Sequence, residues 1–323
     1  MIYLEFLDGQ GLGNQLWNYV TLRSICKLLN YEFQILNPEK FKGKEFLDIK
    51  KYSLNKPIKN ILIENTFSEK IFYDNDLKTF TCDFDSNILK INSGTILKGL
   101  FQSEKYFFNF DINSFIKLKK LNLIDEKINQ NLCLINIRGG EYKRFKDLIL
   151  PKSYWLDAIS NMKDYNSKMK FAIVTDDYNY AKRLLPGYQI IKGSISEDFQ
   201  RIYKAKYLIV SNSSFAYFPS SLGIKTRKII APAHWGRFNN KYKRWTSPAN
   251  FYKGWDYQNS KGEIISFEQI NEDIKNTRLI YSNFNILTNS DSLKKNTLLS
   301  FLPKRFRKYL KLFLSKIFPM RIG

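Results

Sequence analysis

The stretch IYLEFLDGQGLGNQLWNYV, residues Ile2–Val20, places an apolar strand pattern, a turn with three glycines and the start of a helical pattern in succession. Residues Ile2–Leu7 predict a buried strand, and apolar residues at helical spacing follow from Leu16. The glycines alternate with other residues, so they do not match the G-x-G-x-x-G spacing of a dinucleotide-binding turn. The amide pair after them, Asn14 and Gln15, indicates a polar ligand near the helix start. A plain strand-to-helix turn is the alternative.

Short apolar runs alternate with helical patterns along most of the chain. This alternation predicts an α/β fold, with parallel sheets and helices on both faces. Ligands of such sheets bind at the carboxyl ends of the strands. The predicted strands are Ile2–Leu7, Phe33–Leu36, Ile61–Ile63, Thr95–Phe101, Leu132–Ile137, Phe171–Thr175, Gln189–Ile191, Tyr207–Ser211 and Lys228–Ala231.

The length of 323 residues predicts two domains, because a single hydrophobic core seldom extends over so long a chain. A charged stretch at residues 117–130 separates an aromatic helix pattern near residues 106–110 from the strand that begins at Leu132. We therefore expect an N-terminal domain over residues 1–125 and a C-terminal domain over residues 126–285, followed by a basic tail over residues 286–323. Two domains imply a cleft.

The composition excludes several classes of protein. No stretch approaches the roughly 18 apolar residues of a membrane span, and the first residues lack the features of a secretory signal. A cytoplasmic location is therefore the expectation. The cysteines Cys26, Cys82 and Cys133 lie far apart and form no C-x-x-C pair. They are predicted to be buried thiols rather than members of a disulfide framework or a zinc site.

The net charge of +22 predicts an acidic ligand, an anionic surface or both. From Ser292 to Gly323 the chain has nine Lys or Arg residues and no Asp or Glu. This tail predicts an amphipathic helix beginning near Pro303 that binds the inner face of an anionic cytoplasmic membrane; docking on the protein's own surface is the alternative. Nucleic-acid binding is not favoured, because neither a reading module nor a basic reading helix is recognisable. The apolar face would contain Leu302, Phe306, Tyr309, Leu310, Phe313 and Ile317, and the basic face Lys304, Arg307, Lys308 and Lys311.

Four loops that follow predicted strands contain groups suited to a phosphorylated nucleoside. An arginine can fork onto phosphate oxygens, and paired glycines let backbone N–H groups approach an anion. Ser213 and Ser214 are predicted to open a helix over Ser214–Leu222, whose N-terminus favours anions. The loops are RGGEYKR at residues 138–144, DDY at 176–178, NSSF at 212–215 and PAHWGRF at 232–238.

Several other patterns are better explained without a ligand. Asp83-Phe84-Asp85 has metal-binding spacing but lies in a polar stretch away from the four loops, so it is predicted to be solvated surface. Asp176 and Asp177 lack a third ligand nearby, and His234 has no partner histidine or cysteine, so no metal is expected. Trp17 and Trp155 are predicted to pack in the core, whereas Trp235 and Trp245 are candidates for a sugar-binding wall.

Six segments occur in the order and spacing of a known family. They are GLGNQLWNYV, KGLFQSEKYF, INIRGGEY, FAIVTDD, SEDFQRIYKAKYLIVSNSSFAY and IIAPAHW. Over about Ile2–Gln258 the sequence resembles the bacterial family-11 α-1,2-fucosyltransferases. The resemblance implies a GT-B fold, in which two Rossmann-like domains with parallel sheets face a cleft. It also implies an N-terminal domain on the acceptor side and a C-terminal domain that binds the nucleotide sugar.

The resemblance assigns donor-binding residues in the second half of the chain. Arg138 matches the first arginine of the family signature H-x-R-R-G-D and would hold the donor diphosphate. Asn136, Gly139 and Glu141 depart from that signature, and Lys143 or Arg144 would replace the missing charge. Asp198 would accept hydrogen bonds from guanine, although a carboxylate at a helix start explains it equally well. The donor-binding set is Arg138, Asn136, Gly139, Gly140, Asp198, Asn212, Ser213, Ser214 and Phe215.

The activity that the resemblance implies is inverting transfer of L-fucose from GDP-fucose, without a cofactor or metal. The acceptor would be a hydroxyl, O-2 of a galactose-like residue, in an oligosaccharide or lipid-linked bacterial surface glycan. Another GDP-linked sugar is the alternative donor. Arg138, Glu141 and Asn14 are the catalytic candidates, with Asp8 and Glu5 as other possible bases. The acceptor-side candidates are Gly11, Gly13, Gln15 and Trp235.

Overall fold

The computed structural model describes residues 1–54, 57–74, 79–119, 130–144, 148–223, 226–233, 250–282 and 286–287. The chain divides into two compact units. The first contains Met1–Lys44, Ile49–Ile116 and the described residues from Tyr281 onward, and the second contains Glu45–Asp48 and Lys117–Ile280. The expected boundary at residues 125–126 lies outside the described residues and stays a prediction, as does the helix expected in the tail.

The first unit is built on a four-stranded parallel sheet with the order β2–β1–β7–β4. A three-stranded antiparallel sheet has the order β16–β5–β6, and β3 pairs with β8 where the chain passes from one unit to the other. The strands of these three sheets are β1 (Ile2–Glu5), β2 (Phe33–Leu36), β3 (Leu47–Ile49), β4 (Asn65–Ser68), β5 (Ile71–Asp74), β6 (Thr79–Cys82), β7 (Thr95–Lys98), β8 (Ile116–Leu118) and β16 (Ile286–Leu287), and β3 and β8 each have residues in both units.

Helix α1 (Leu12–Leu29) follows β1 through the glycine-rich turn. Gly9 has a φ of 73°, a left-handed value at which glycine avoids the steric cost of a side chain. Gly11 is the N-cap of the helix with a φ of −69°, so its conformation does not require glycine. The helix ends at Asn30, whose φ of 55° and backbone N–H bond to the Cys26 carbonyl are typical of a left-handed C-cap.

Two predicted elements of the first unit differ in the structure. Ile61–Ile63 forms no strand, and its residues are 42–65% exposed. The strand lies instead at β4, where pairing with β7 begins at Asn65 and Thr95. The aromatic run near residues 106–110 contains only a short 3-10 helix, Glu104–Phe107, because Phe108 and Asn109 adopt left-handed backbone angles that end it.

The second unit is built on a seven-stranded sheet with the order β11–β10–β9–β12–β13–β14–β15, in which only β15 is antiparallel. In this register Asn136 of β9 lies opposite Val174 of β10 and Val210 of β12. The loops that follow these three strands therefore leave the same edge of the sheet. The strands are β9 (Leu132–Ile137), β10 (Lys170–Thr175), β11 (Gln189–Ile191), β12 (Tyr207–Val210), β13 (Lys228–Pro232), β14 (Asp256–Gln258) and β15 (Ile264–Ile265).

The described residues after β9 include the α-helices α2 (Lys152–Tyr165), α3 (Tyr178–Leu184), α4 (Ile195–Lys204), α5 (Tyr217–Leu222) and α6 (Phe267–Ser282). Helix α2 packs Tyr154 and Trp155 into a core formed with β9, β10 and β12. The buried Tyr154 hydroxyl lies 2.7 Å from the Val210 carbonyl oxygen, to which it donates a hydrogen bond. Each unit thus has a parallel sheet with helices, which confirms the predicted α/β class.

The predicted packing residues are buried. Trp17 is fully buried with its ring 5.0 Å from that of Phe107, and Trp155 is 2% exposed. Cys26 and Cys133 are buried free thiols, as expected. Burial raises the pKa of Cys26 to about 12, so this thiol stays protonated at physiological pH.

Candidate functional site

Arg138 directly follows β9, at the carboxyl edge of the second unit's sheet. Its Nη1 lies 2.8 Å from Asp176 Oδ2, and its Nη2 lies 3.4 Å from Glu141 Oε1. The buried Nε–H has no hydrogen-bond partner among the described residues. The structure therefore brings two predicted residues, Arg138 and Glu141, together with Asp176, and leaves one guanidinium donor unused.

The two glycines after Arg138 pack closely on the loop after β10. The Gly139 N–H donates to Asp176 Oδ1 at 2.8 Å. A Cβ at Gly139 would lie 2.6 Å from Asp177 Cβ and 2.9 Å from Tyr180 Cδ1. Gly140 has a φ of 31°, and a Cβ there would meet the Asp176 carboxylate. The second arginine of the family signature could therefore not replace Gly139 unless the start of α3 moved.

Lys143 and Arg144 end a 3-10 helix, Gly140–Arg144. The Lys143 ammonium pairs with the Asp177 carboxylate, which also caps α3 by accepting from the Tyr180 N–H. Partial burial raises the pKa of Asp177, but Lys143 and the Tyr180 N–H lower it more, so the net pKa is lowered. Arg144 is exposed, and no carboxylate in the described part of the chain pairs with it. The positive charge of Arg144, rather than that of Lys143, is therefore available to a ligand.

The loop after β12 joins the same edge. The Tyr142 hydroxyl donates to the Asn212 carbonyl at 3.3 Å, which connects this loop to the one after β9. Asn212 is 8% exposed, and its Nδ2 donates to the Leu148 carbonyl. Its buried Oδ1 and the buried Ser211 hydroxyl have no partner among the described residues. Such orphaned polar groups are expected where a polar ligand supplies the missing bonds.

The helix predicted over Ser214–Leu222 is wrong at its start. Helix α5 begins at Tyr217, after Ala216 as N-cap, so Ser213 and Ser214 lie in the loop. The Ser213 hydroxyl accepts from the Phe215 N–H at 3.4 Å, a local turn that competes with helical bonding. The two serines therefore offer loop hydroxyls rather than a helix N-terminus.

Asp198 lies in the first turns of α4, whose capping box is formed by Ser194 and Glu197. Its Oδ1 accepts from Arg201 Nη1 at 3.2 Å, and both side chains are about nine-tenths buried. Burial raises the pKa of Asp198 to about 6, although the Arg201 charge opposes this, and the charge of Asp176 contributes to the increase. The carboxylate predicted to recognise guanine is therefore a buried group that ionises near pH 6, close to the edge that carries Arg138.

In the first unit, Asn14 lies in the first turn of α1, and its Oδ1 accepts from Gln102 Nε2 at 2.8 Å. Gln15 is not an acceptor-side residue: it is fully buried, and its amide bonds the backbone of Lys40 and Lys42 at 2.9 Å each. Gly13 is buried within the helix, and Gly11 is exposed with no atom within 4 Å of an added Cβ. The protein itself therefore gives no steric reason for glycine at Gly11.

Other predicted residues have different outcomes. Trp235, Trp245 and His234 lie outside the described residues. Asp85 is not solvated surface: it is 3% exposed, caps a 3-10 helix and lies 3.5 Å from Lys70 Nζ. In the described part of the chain, no three metal-ligating side chains gather. None of the helices in that part has both the length and the apolar character needed to cross a bilayer.

The carboxyl edge of the second unit thus combines an arginine, a glycine N–H group and one buried carboxylate, Asp198, on a mostly parallel sheet. Such an edge is typical of α/β proteins that bind an anionic ligand at the carboxyl ends of parallel strands. The chain belongs to glycosyl transferase family 11, and the model of that family matches residues 9–259. Among curated proteins, none matches the chain.

The solved structures that are similar to this chain are only distantly related to it in sequence. NodZ from Bradyrhizobium, an α-1,6-fucosyltransferase soaked with GDP-fucose, has a TM-score of 0.41 at 13% identity, over 72% of this chain and 94% of NodZ. FUT1 from Arabidopsis thaliana in complex with GDP has a TM-score of 0.40 at 9% identity, over 71% and 69%. The E. coli heptosyltransferase WaaC with ADP has a TM-score of 0.38 at 9% identity, over 86% and 98%.

Proposed function

We propose that the protein transfers L-fucose from GDP-fucose to a glycan hydroxyl with inversion at the anomeric carbon. The observation that carries this proposal is the unused, buried Nε–H of Arg138 at the carboxyl edge of a parallel sheet in a family-11 chain. A diphosphate oxygen would complete the hydrogen bonding of this arginine. The leaving GDP gains negative charge as the sugar–oxygen bond breaks, and a fixed guanidinium stabilises that charge.

The nucleotide would be selected by Asp198. A buried, ionised carboxylate can accept hydrogen bonds from both N1–H and the exocyclic amino group of guanine, and uracil offers no such pair of donors. Because burial raises the pKa of Asp198 to about 6, this carboxylate is ionised above that pH and loses its double-acceptor character below it.

We expect GDP at pH 8 to raise the melting temperature more than UDP, CMP or ADP does. A ligand at 100 times its Kd stabilises the native state by about 2.7 kcal/mol. At pH 5 the advantage of GDP should shrink, because Asp198 is protonated in the free protein. Equal shifts for all four nucleotides at pH 8 would contradict the role of Asp198, and an advantage of GDP that is unchanged at pH 5 would place guanine recognition elsewhere.

Asn14 and Glu141 would take part in catalysis together with Arg138, with Glu141 as a candidate base. We assign O-2 of a galactose-like residue in an oligosaccharide or lipid-linked surface glycan as the acceptor hydroxyl. The assay is transfer from a panel of GDP-linked sugars, with the product linkage determined by NMR. If only a different GDP-linked sugar is transferred, that sugar replaces fucose as the proposed donor group.

Because Arg138 would neutralise the leaving group, the rate of transfer should be the same with and without EDTA.

We further propose that the basic tail binds the inner face of the cytoplasmic membrane, where a lipid-linked acceptor would be found. The support is the charge of residues 292–323, which contain nine basic and no acidic residues. The full chain is expected to sediment with vesicles containing anionic lipid and not with neutral vesicles. Deletion after Ser292 should abolish sedimentation and preserve transfer to a soluble acceptor. If the truncated chain unfolds, the tail is instead part of the folded structure and docks on the protein's own surface.

A further inference from the structure

The segment Lys98–Ser103, called here the β7 loop, leaves the carboxyl end of β7 in the first unit. Glu69, which directly follows the neighbouring strand β4, is 4% exposed and faces this loop. Its Oε2 accepts from the backbone N–H groups of Leu100 at 2.8 Å and Phe101 at 2.9 Å. One carboxylate oxygen therefore holds two consecutive peptide groups of the loop.

The backbone of the β7 loop has an uncommon conformation. Phe101 has a φ of 50°, a left-handed value that is unfavourable for a bulky residue. Gly99 allows the close approach of Glu69, because a Cβ at Gly99 would lie 2.6 Å from Glu69 Cβ. The ring of Phe101 is fully buried, with its centroid 5.2 Å from that of Tyr106. The hydrogen bonds that the Glu69 carboxylate accepts and this packing together stabilise the turn.

The other side of the β7 loop is held by α1. The orientation of the Asn18 amide that satisfies both of its ends directs the nitrogen at the loop, where it donates to the carbonyl oxygens of Gly99 at 3.2 Å and Leu100 at 3.1 Å. The next residue after the left-handed turn, Gln102, donates to Asn14 Oδ1 at 2.8 Å. The conformation that Glu69 stabilises therefore determines where the Gln102 amide meets Asn14.

We propose that Glu69 is a positioning residue for glycosyl transfer, because its carboxylate fixes the β7 loop and thereby the Gln102 amide that orients Asn14. This inference rests on the proposed function for the role of Asn14, while the effect of Glu69 on the loop stands independently of it. Glu69 acts on the loop rather than on substrate, because its Oε2 is directed at the protein's own backbone.

The charge of Glu69 makes the arrangement dependent on pH. Burial raises the pKa of Glu69 to about 7; the N–H groups of Phe101 and Leu100 and the Tyr106 hydroxyl lower it, and the charge of Asp85 raises it. The Nζ of Lys70 lies 3.5 Å from Asp85 Oδ1 and offsets part of that charge. Transfer should therefore rise with pH through about 7, as the carboxylate ionises and binds the two N–H groups more strongly.

The stability of the fold should change in the opposite direction. A carboxyl group whose pKa is raised in the folded protein contributes stability below the unfolded value near 4.5, and this is lost as pH rises through about 7. Glu69→Gln is neutral and keeps an acceptor oxygen. It is therefore expected to melt at or above the wild-type temperature at pH 8, although it holds the β7 loop less firmly.

The test compares the full chain with Glu69→Gln and with Glu64→Gln, an exposed glutamate on the amino-terminal side of β4. We expect Glu69→Gln to lower kcat about tenfold at pH 8, since small misplacements of reacting groups cost large factors in rate. The rise of kcat near pH 7 should be absent in this variant and present in Glu64→Gln. GDP should stabilise all three proteins equally. A pH profile and kcat of Glu69→Gln equal to those of Glu64→Gln would overturn the proposal.

Amide hydrogen exchange provides a readout that does not need activity. In Glu69→Gln, peptides covering Leu100–Gln102 should exchange faster than in the wild type, and those covering β9 should not change. If the wild type transfers no sugar from any GDP donor, the proposed function fails, while faster exchange would still support the role of Glu69 in the loop. Unchanged exchange at Leu100–Gln102 would overturn that role whether or not transfer is observed.

Discussion

Replacing Arg138 by alanine is expected to lower kcat for glycosyl transfer by about 10²-fold or more, the usual effect of removing a donor that stabilises developing charge. Arg138 is held at the end of β9 by Asp176 at 2.8 Å and by Glu141 at 3.4 Å. The guanidinium is therefore oriented before the ligand arrives. Turnover measured with saturating GDP-fucose checks this prediction.

The matched control for this substitution is Arg227→Ala. Arg227 is an exposed arginine just before β13, at the amino edge of the same sheet. The control loses the same charge but should retain the wild-type rate. Arg138→Lys should recover little activity, because an ammonium group cannot replace the fork of donors that contacts Asp176, Glu141 and a phosphate together. If a variant at Arg138 keeps most of its activity, the diphosphate must be bound by another loop.

The sequence predicted most strands of the second unit well. Leu132–Ile137 matches β9 residue for residue, because a strand inside a parallel sheet is covered on both faces and reads as a continuous apolar run. Gln189–Ile191 also matches the edge strand β11, although none of its residues is buried. The same rule misled at Ile61–Ile63, where three apolar residues lie exposed before β4. Hydrophobic runs of three residues do not distinguish a strand from an exposed loop.

The candidate site was predicted in its composition but not in its partners. The sequence placed Arg138, Asp198 and Asn212 in loops or helix starts near strand ends. The parallel pairing of β9 with β12 brings the ends of these two strands, before Arg138 and Asn212, to the same edge of the sheet. The carboxylate that holds Arg138 could not be chosen, since Asp176 is 38 positions further along the chain and only the sheet brings it near. Gln15 was assigned to the ligand because an amide after a glycine turn has the same appearance whether it bonds a substrate or, as here, the backbone of residues 40–42.

Both units bury a carboxyl group whose ionisation the fold opposes. Burial raises the pKa of Asp198 to about 6 and that of Glu69 to about 7. Apolar or neutral residues of similar volume would often be at least as stable in such positions. Carboxyl groups with raised pKa values are typical of functional sites, where a charge is kept for binding or positioning. In this protein each of the two charges is matched to donors: Arg201 for Asp198, and two peptide N–H groups for Glu69.

Arg201→Met is expected to lower the free energy of unfolding by about 3–5 kcal/mol at pH 8, the usual cost of leaving one member of a buried ion pair without its partner. Arg201 and Asp198 are both about nine-tenths buried, with Nη1 and Oδ1 3.2 Å apart. Without Arg201 the remaining causes, burial first and then the charges of Glu197 and Asp176, all raise the pKa of Asp198, so it should lie further above about 6. Urea unfolding at several pH values measures the effect.

The dependence of this destabilisation on pH separates loss of the ion pair from loss of packing. A raised carboxyl pKa gives stability that is complete below the unfolded value near 3.8 and is lost as pH rises through the folded value. The cost of Arg201→Met should therefore be small at pH 4 and complete by pH 8, whereas lost contacts of the arginine stem would cost the same at both. Arg227→Met, at an exposed position, should leave the free energy of unfolding unchanged at both pH 4 and pH 8. A destabilisation by Arg201→Met that is equal at pH 4 and pH 8 would mean that Arg201 packs rather than pairs, and Asp198 would then lack the charged partner that keeps it ionised for guanine.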